Sequence, residues 1–397
     1  MKALYRDYLA ILKSFIYDEA PELSGEAAPG KLYNLANVNS MAGILCYTFM
    51  RYPGLTDERL RGFFRGQCLT TVATYVDRAE KMKELIVKLD EAGIDHLVFK
   101  GFVLRDYYPM PELRAFGDID FAIRAEDRRS CDELMRSLEY EVKTDWEPVY
   151  AYVKEKEYYE VQTNVMAVNV SDKSDTADYF SRFWENAVPC GSFSGHTYVF
   201  RPEYHFLYLL AHIAKHISGS GAGIRMYLDL AFFIRHFGKS LDWKWVGGEL
   251  EKLALADFAN TVLNALKVWF GVESPLALRP LDEGILEDFL EFTLEGGTFG
   301  FNGRDRSVVY LKEQDPGEES VSRVRTILWH AFPPIGELND RYTYLQKCPW
   351  LLPAAWAHRL IDSRKEWGRY VDNTKKIISA DPEEVLKLKR IYKEIGL

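Results

Sequence analysis

The chain has 397 residues, 47% hydrophobic and 27% charged, a composition that excludes wholesale disorder and leaves room for about two to three domains. Fifty Lys and Arg stand against 59 Asp and Glu, a net charge of −9. That balance disfavours a protein that coats nucleic acid, although a local basic cleft is compatible with it. Five scattered cysteines without a CxxC pair exclude a zinc ribbon and a disulfide scaffold. With no signal peptide and no uncharged apolar run of about 18 residues, the expectation is a cytoplasmic chain without a membrane partner.

Residues 1–92 read as helical. Leu4, Tyr8, Ile11, Leu12 and Phe15 recur at three- and four-residue steps, which puts them on one helix face. A second helix is expected over 32–50, ending before the turn dipeptide Pro53-Gly54. A third is expected from Thr56 as N-cap to Glu91, with breaks near Gly62 or Gly66 and closure at Gly93. The pattern changes there. The run IDHLVFKG is β-compatible, Phe102–Tyr108 reads as a short helix, and GDIDFAIR alternates, with Asp118 and Asp120 on one face and Ile119 and Phe121 on the other. An amphipathic helix over 125–138 and strands at 140–143, 149–153 and 158–165 complete an α/β unit of about 110 residues. From Pro202 the helical period returns, interrupted by glycines at 219–223, 238 and 247–248, by GGTFGFNGRD at 296–305 and by the acidic stretch 312–320. The expected regions are therefore 1–92 (N-terminal helices), 93–200 (α/β core) and 201–397 (C-terminal helices).

The chemistry concentrates in FKGFVLRDYYPMPELRAFGDIDFAIR, residues 99–124. Two carboxylates two apart on a strand project from the same face, and at that separation they repel unless a cation sits between them. Oxygen-only ligands suit Mg²⁺, with Mn²⁺ as an alternative. Gly117 before the pair permits close backbone approach. Upstream, Lys100-Gly101 sits where a strand meets a helix, so backbone N–H groups with a lysine beside them offer a phosphate site. Phosphate site and metal carboxylates together point to phosphoryl or nucleotidyl transfer. An exposed, metal-free Asp pair is the ordinary alternative.

These residues resemble the bacterial "uncharacterised nucleotidyltransferase" family of the DNA polymerase β-like superfamily. Lys100, Gly101, Leu104, Tyr108, Pro109, Pro111, Arg114, Gly117, Asp118, Ile119 and Asp120 carry the likeness. Weaker matches continue through LLAHIAKH (209–216) and IRMYLDLAFFIR (224–235). The resemblance implies an α+β fold with a mixed sheet core, N-terminal helices and a large C-terminal helical region. It also implies a third carboxylate on a later strand, for which Glu160 is the candidate and Glu157 and Glu155 the rivals. Two departures stand out: Gln162 occupies a place where the family tends to have histidine, and bulky Phe102 follows the first glycine.

His212 and His216 are one turn apart on a helix. Zinc binding by the pair would need a third ligand such as His205 or Asp229; a packed, hydrogen-bonded pair is the plainer alternative. Segment 201–245 holds six basic residues against three acidic ones, and 340–397 holds twelve against eight. If the first of these packs over the α/β core, Lys215, His216 and Arg225 line the nucleotide or acceptor site. The implied activity is NMP transfer from a nucleoside triphosphate such as ATP to an unknown acceptor: a small molecule, a protein side chain or an RNA end. Asp118, Asp120 and Glu160 would hold the metal, and Lys100, Gly101 and Arg114 the triphosphate. The alternatives are a catalytically silent nucleotide-binding module, a His-dependent metallohydrolase and a phosphotransferase.

Overall fold

The computed structural model describes residues 1–300 except 116, 172, 194, 220 and 299, and beyond them 328, 332–335, 338, 342–346, 348–362 and 382–397. Residues 1–302 with 395–397 form one compact unit, and 303–394 a second. Among the described residues, no helix is long and apolar enough to cross a membrane. The acidic stretch 312–320 and Gly303 lie outside the described residues.

The first unit opens with helices α1 (Ala3–Tyr17), α2 (Pro29–Val38), α3 (Ala42–Arg51) and α4 (Glu58–Glu91). The apolar stripe of α1 is buried as expected, with Tyr8, Ile11 and Leu12 fully covered. The single helix expected over 32–50 is two helices. Ser40 takes a left-handed conformation, φ +57°, and the Asn39 amide donates to the carbonyls of Leu35 and, across the unit, Leu294. Conversely, α4 runs 34 residues without a break at Gly62 or Gly66. Its N-cap is Asp57, not Thr56: the carboxylate accepts from the Leu60 N–H at 2.8 Å, a bond that satisfies one orphan donor of the first turn.

Seven strands form one mixed sheet: β1 (His96–Val98), β2 (Ile119–Ile123), β3 (Glu141–Trp146), β4 (Val149–Lys154), β5 (Glu157–Gln162), β6 (Ala187–Pro189) and β7 (Thr197–Phe200). Their order is β3-β4-β5-β2-β1-β7-β6. β2 runs antiparallel to β1 and parallel to β5, while β7 pairs parallel with β1. Alternation along β2 sorts its side chains. Ile119, Phe121 and Ile123 enter a core with Ala79, Met82, Leu85, Ile86 and Leu89 of α4 and Cys131 and Met135 of α6 (Arg128–Ser137). Asp120 and Ala122 project from the opposite face. Both faces are covered, so the whole strand is buried, which hides the half-buried pattern that alternation by itself suggests.

The expected helix after Lys100 is short: α5 (Gly101–Leu104) followed by a 3₁₀ turn, Arg105–Tyr107. After α7 (Thr176–Ser181) come α8 (Pro202–Gly219), α9 (Ile224–Phe237), α10 (Trp243–Lys252), α11 (Ala256–Phe270) and α12 (Glu283–Gly296). An aromatic layer of Phe99, Phe180, Phe200, Tyr204 and Tyr208 packs α8 beside β1. His205 anchors that contact, its Nε2 lying 2.7 Å from the Phe99 carbonyl. In the second unit, α13 (Leu352–Asp362) and α14, which starts at Pro382 and ends at Ile395 in the first unit, are the described helices of eight or more residues.

Candidate active site

β2 and β5 place the acidic groups. Their parallel register sets Asp120 beside Glu160 and Ala122 beside Gln162, and parallel neighbours in register show their side chains on the same face. Asp118 stands in the turn just before β2. One carboxylate oxygen from each of Asp118, Asp120 and Glu160 lies within 4.8 Å of the others. The rivals for the third acid point elsewhere. Glu157 accepts from the Tyr140 hydroxyl and pairs with Lys81, and Glu155 sits in the β4–β5 turn with φ +53°.

Two donors converge on Asp120. Lys100 Nζ and Gln162 Nε2 each lie 2.7 Å from its Oδ1. Gln162, read from sequence only as a missing histidine, thus orients a carboxylate. Burial raises the Asp120 pKa, with Lys100 opposing and Asp118 adding to the rise. Glu160 is pushed up to about 7, first by burial and then by the charges of Asp120 and Asp118. Burial disfavours the Lys100 ammonium, but the neighbouring Asp120 outweighs it and raises the lysine pKa. Three carboxylates gathered beside one half-buried lysine have the donor set of a hard, oxygen-preferring divalent cation. Among the described residues, this is the one group of three or more His, Cys, Asp or Glu with that spacing.

The triad opens on a cavity of about 340 Å³ whose opposite wall is helical. From the sheet side come Lys100, Gly101, Asp118, Asp120, Glu160 and Gln162, with Pro148, Val149, Asn164 and Val165 beside them. From α8 come Leu209, His212, Ile213, Lys215 and His216, and from α9 Arg225, Met226 and Asp229. The basic wall anticipated from segment 201–245 therefore faces the acids. Burial, followed by the Lys100, Lys215 and Arg225 charges, holds the His216 pKa down to about 4. Burial and the His216, Lys100, Lys215 and Arg225 charges push His212 well below its ordinary value. Both imidazoles are therefore neutral near pH 7. His212 Nδ1 and Arg225 Nε are buried without a hydrogen-bond partner. An unmatched guanidinium N–H and an unmatched imidazole nitrogen beside Lys215 form a wall suited to an incoming anion.

Several expectations change. Arg114, read as a triphosphate ligand, borders the cavity but is 6% exposed and held in a two-point pair with Asp229, Nε–Oδ1 3.0 Å and Nη2–Oδ2 2.6 Å. Asp229 also accepts from the Tyr108 hydroxyl at 2.7 Å, so neither Asp229 nor His205 joins the histidine pair as a zinc ligand. Gly117 does not line the cavity, and a Cβ there would meet nothing within 4 Å. At the start of α9, Gly223 is tight: a Cβ would lie 2.8 Å from the Gly297 carbonyl oxygen. Thr298, just beyond that contact, also lines the cavity. Phe102 turns into the core and leaves the Lys100-Gly101 turn open. A four-residue α5 contributes little dipole there, so Lys100 and the α8–α9 wall supply the positive charge. Asn164 and Thr298 carry no sequence signal for the site, and Asp229 is singled out by sequence only as a zinc ligand; the fold brings all three to the cavity.

A mixed sheet with paired acids at its central strands, helices before it, and α8 and α9 facing it across the cavity, defines a nucleotidyltransferase fold. Residues 25–271 match the uncharacterised nucleotidyltransferase family, well over half of the chain, and the protein belongs to that family. No curated protein and no solved structure matches it significantly.

Proposed function

We propose that the protein is a Mg²⁺-dependent nucleotidyltransferase, with Mn²⁺ as a substitute, that moves NMP from a nucleoside triphosphate to an acceptor hydroxyl. The observation that carries this reading is the juxtaposition in one cavity of the Asp118–Asp120–Glu160 triad with Lys215, His216 and Arg225. Acids to gather cations, and two cations with a neutral imidazole beside them to gather phosphates, facing each other across one cavity, are the parts that phosphoryl chemistry requires.

Asp118, Asp120 and Glu160 would hold the metal, which would offset the negative charge of the phosphates. Lys100 and the Gly101 backbone orient the triphosphate from the sheet side, and Lys215, His216 and Arg225 from the helical side. Glu160, beside Asp120 on β5, receives the proton of the acceptor hydroxyl. The freed oxygen attacks the α-phosphorus in line. A new P–O bond forms as the bond to the bridging oxygen breaks, and pyrophosphate leaves with that electron pair. Arg114 serves from behind, through Asp229.

The test is calorimetric titration of ATP, GTP, CTP and UTP with Mg²⁺ into the wild type and the Asp118→Asn/Asp120→Asn double variant. Metal-dependent binding that the double variant loses supports the reading and identifies the donor base. Binding indifferent to metal and mutation would instead mark a silent nucleotide-binding module.

A further inference from the structure

Asp118 differs from the other two acids in how it is held. Asp120 and Glu160 sit within paired strands, whereas Asp118 lies in the turn before β2, exposed, and nothing among the described residues hydrogen-bonds its carboxylate. Its position depends on the backbone that leads to it, which is tied to α9 at several points. Arg114 and Tyr108 both bond Asp229. The Ala115 carbonyl accepts from Arg114 Nη1 at 3.2 Å and from Arg225 Nη1 at 2.8 Å. Arg225 and Asp229 are one turn apart on α9, so a single helical turn grips the segment from both ends.

We propose that Tyr108, Arg114 and Asp229 are positioning residues: a buried clamp that holds Asp118 in metal-binding geometry with Asp120 and Glu160 and links it through Arg225 to the basic wall. The proposal rests on the metal reading given above. A buried ion pair is a weak device for stability, since well-packed apolar residues serve as well or better. What a two-point arginine–carboxylate pair supplies is direction. Arg114 and Asp229 are 6% and 5% exposed, so solvent does not compete for either partner. Arg225 closes the link: one nitrogen holds Ala115 while its residue borders the cavity.

The experiment uses the full chain, with Mn²⁺ alone as the probe, and compares wild type with Tyr108→Phe, Asp229→Asn and Phe289→Leu. Phe289 is fully buried against Tyr227 of α9 and against Trp269 but makes none of the clamp's hydrogen bonds, so it controls for simple loosening of that helix. Mn²⁺ uptake and amide hydrogen exchange at Gly117 and Asp118 are both read. We expect Asp229→Asn to weaken Mn²⁺ binding about tenfold, the lower end for groups that support metal ligands, with a smaller loss in Tyr108→Phe. Exchange at Gly117 and Asp118 should quicken in both variants, and neither readout should move in Phe289→Leu. If Asp229→Asn does not fold, Tyr108→Phe decides. Faster exchange with unchanged Mn²⁺ affinity, or equal loss of affinity in Phe289→Leu, would overturn the positioning role alone. No Mn²⁺ uptake by the wild type would refute the metal reading and this inference with it.

Discussion

Glu160→Gln offers the most direct view of the energy stored in the triad. In the metal-free protein the Glu160 pKa is raised from 4.5 to about 7, by burial first and then by the Asp120 and Asp118 charges. A folded-state pKa above the unfolded value means that the native protein holds the extra proton between those two values. Stability is therefore lost as pH rises from about 4.5 to 7. A rise of about 2.5 units corresponds to roughly 3 kcal/mol at about 1.4 kcal/mol per unit. Glu160 is only partly buried, and solvent screening brings the expected effect down to about 1–2 kcal/mol. Removing the charge with near-isosteric glutamine should thus stabilise the metal-free protein by that amount at about pH 8, and by little at about pH 5. Urea denaturation in EDTA at the two pH values measures it. Added Mg²⁺ should stabilise the wild type and leave the variant largely unmoved, because the relief of repulsion needs the third carboxylate. A variant no more stable than wild type at about pH 8, or equally stabilised by Mg²⁺, would refute the triad as a strained, cation-seeking cluster.

Three further outcomes are expected. His205, 2% exposed, has its pKa held down to about 4 by burial. Acid should therefore cost about 2 kcal/mol more in the wild type than in His205→Gln between pH 6.5 and about 5; equal shifts of the urea midpoint in the two proteins would contradict this. Lys100→Ala leaves Asp120, whose side chain is 7% exposed, without its cation. It should cost about 2–3 kcal/mol of stability and abolish metal-dependent nucleotide binding in calorimetry; retained binding would remove Lys100 from the site. Gly223→Ala forces a Cβ to 2.8 Å from the Gly297 oxygen. A loss of about 1–3 kcal/mol, with weaker nucleotide binding as the start of α9 shifts, should appear in the same two assays; a silent substitution would mean that the 297–298 segment yields freely.

Much of the sheet side of the site was legible along the chain. Alternation in GDIDFAIR puts the two aspartates on one face because side chains reverse at every residue of a strand. The strand–Lys-Gly–turn order likewise places Lys100 at the end of β1. Locally sharp signals did the work: a two-residue period, a glycine and proline framework, and a run of paired acids. Strands β6 and β7, short and without strong alternation, left no such mark, although β7 pairs with β1 and helps order the sheet.

What the tertiary structure alone decided is partnership. Which of Glu155, Glu157 and Glu160 stands beside Asp120 depends on the parallel register of β2 and β5, and no local pattern encodes a register between segments about 40 residues apart. Arg114 is an arginine near a phosphate motif when read along the chain; in space its charge is met by Asp229, 115 residues away. Whether a charge is free to bind a ligand is a property of its surroundings, set by desolvation and by the nearest opposite charge. The sequence determined which chemical groups are present and the faces they project from. Packing of α8 and α9 over the sheet determined which of those groups face the cavity and which are spent holding the others in place.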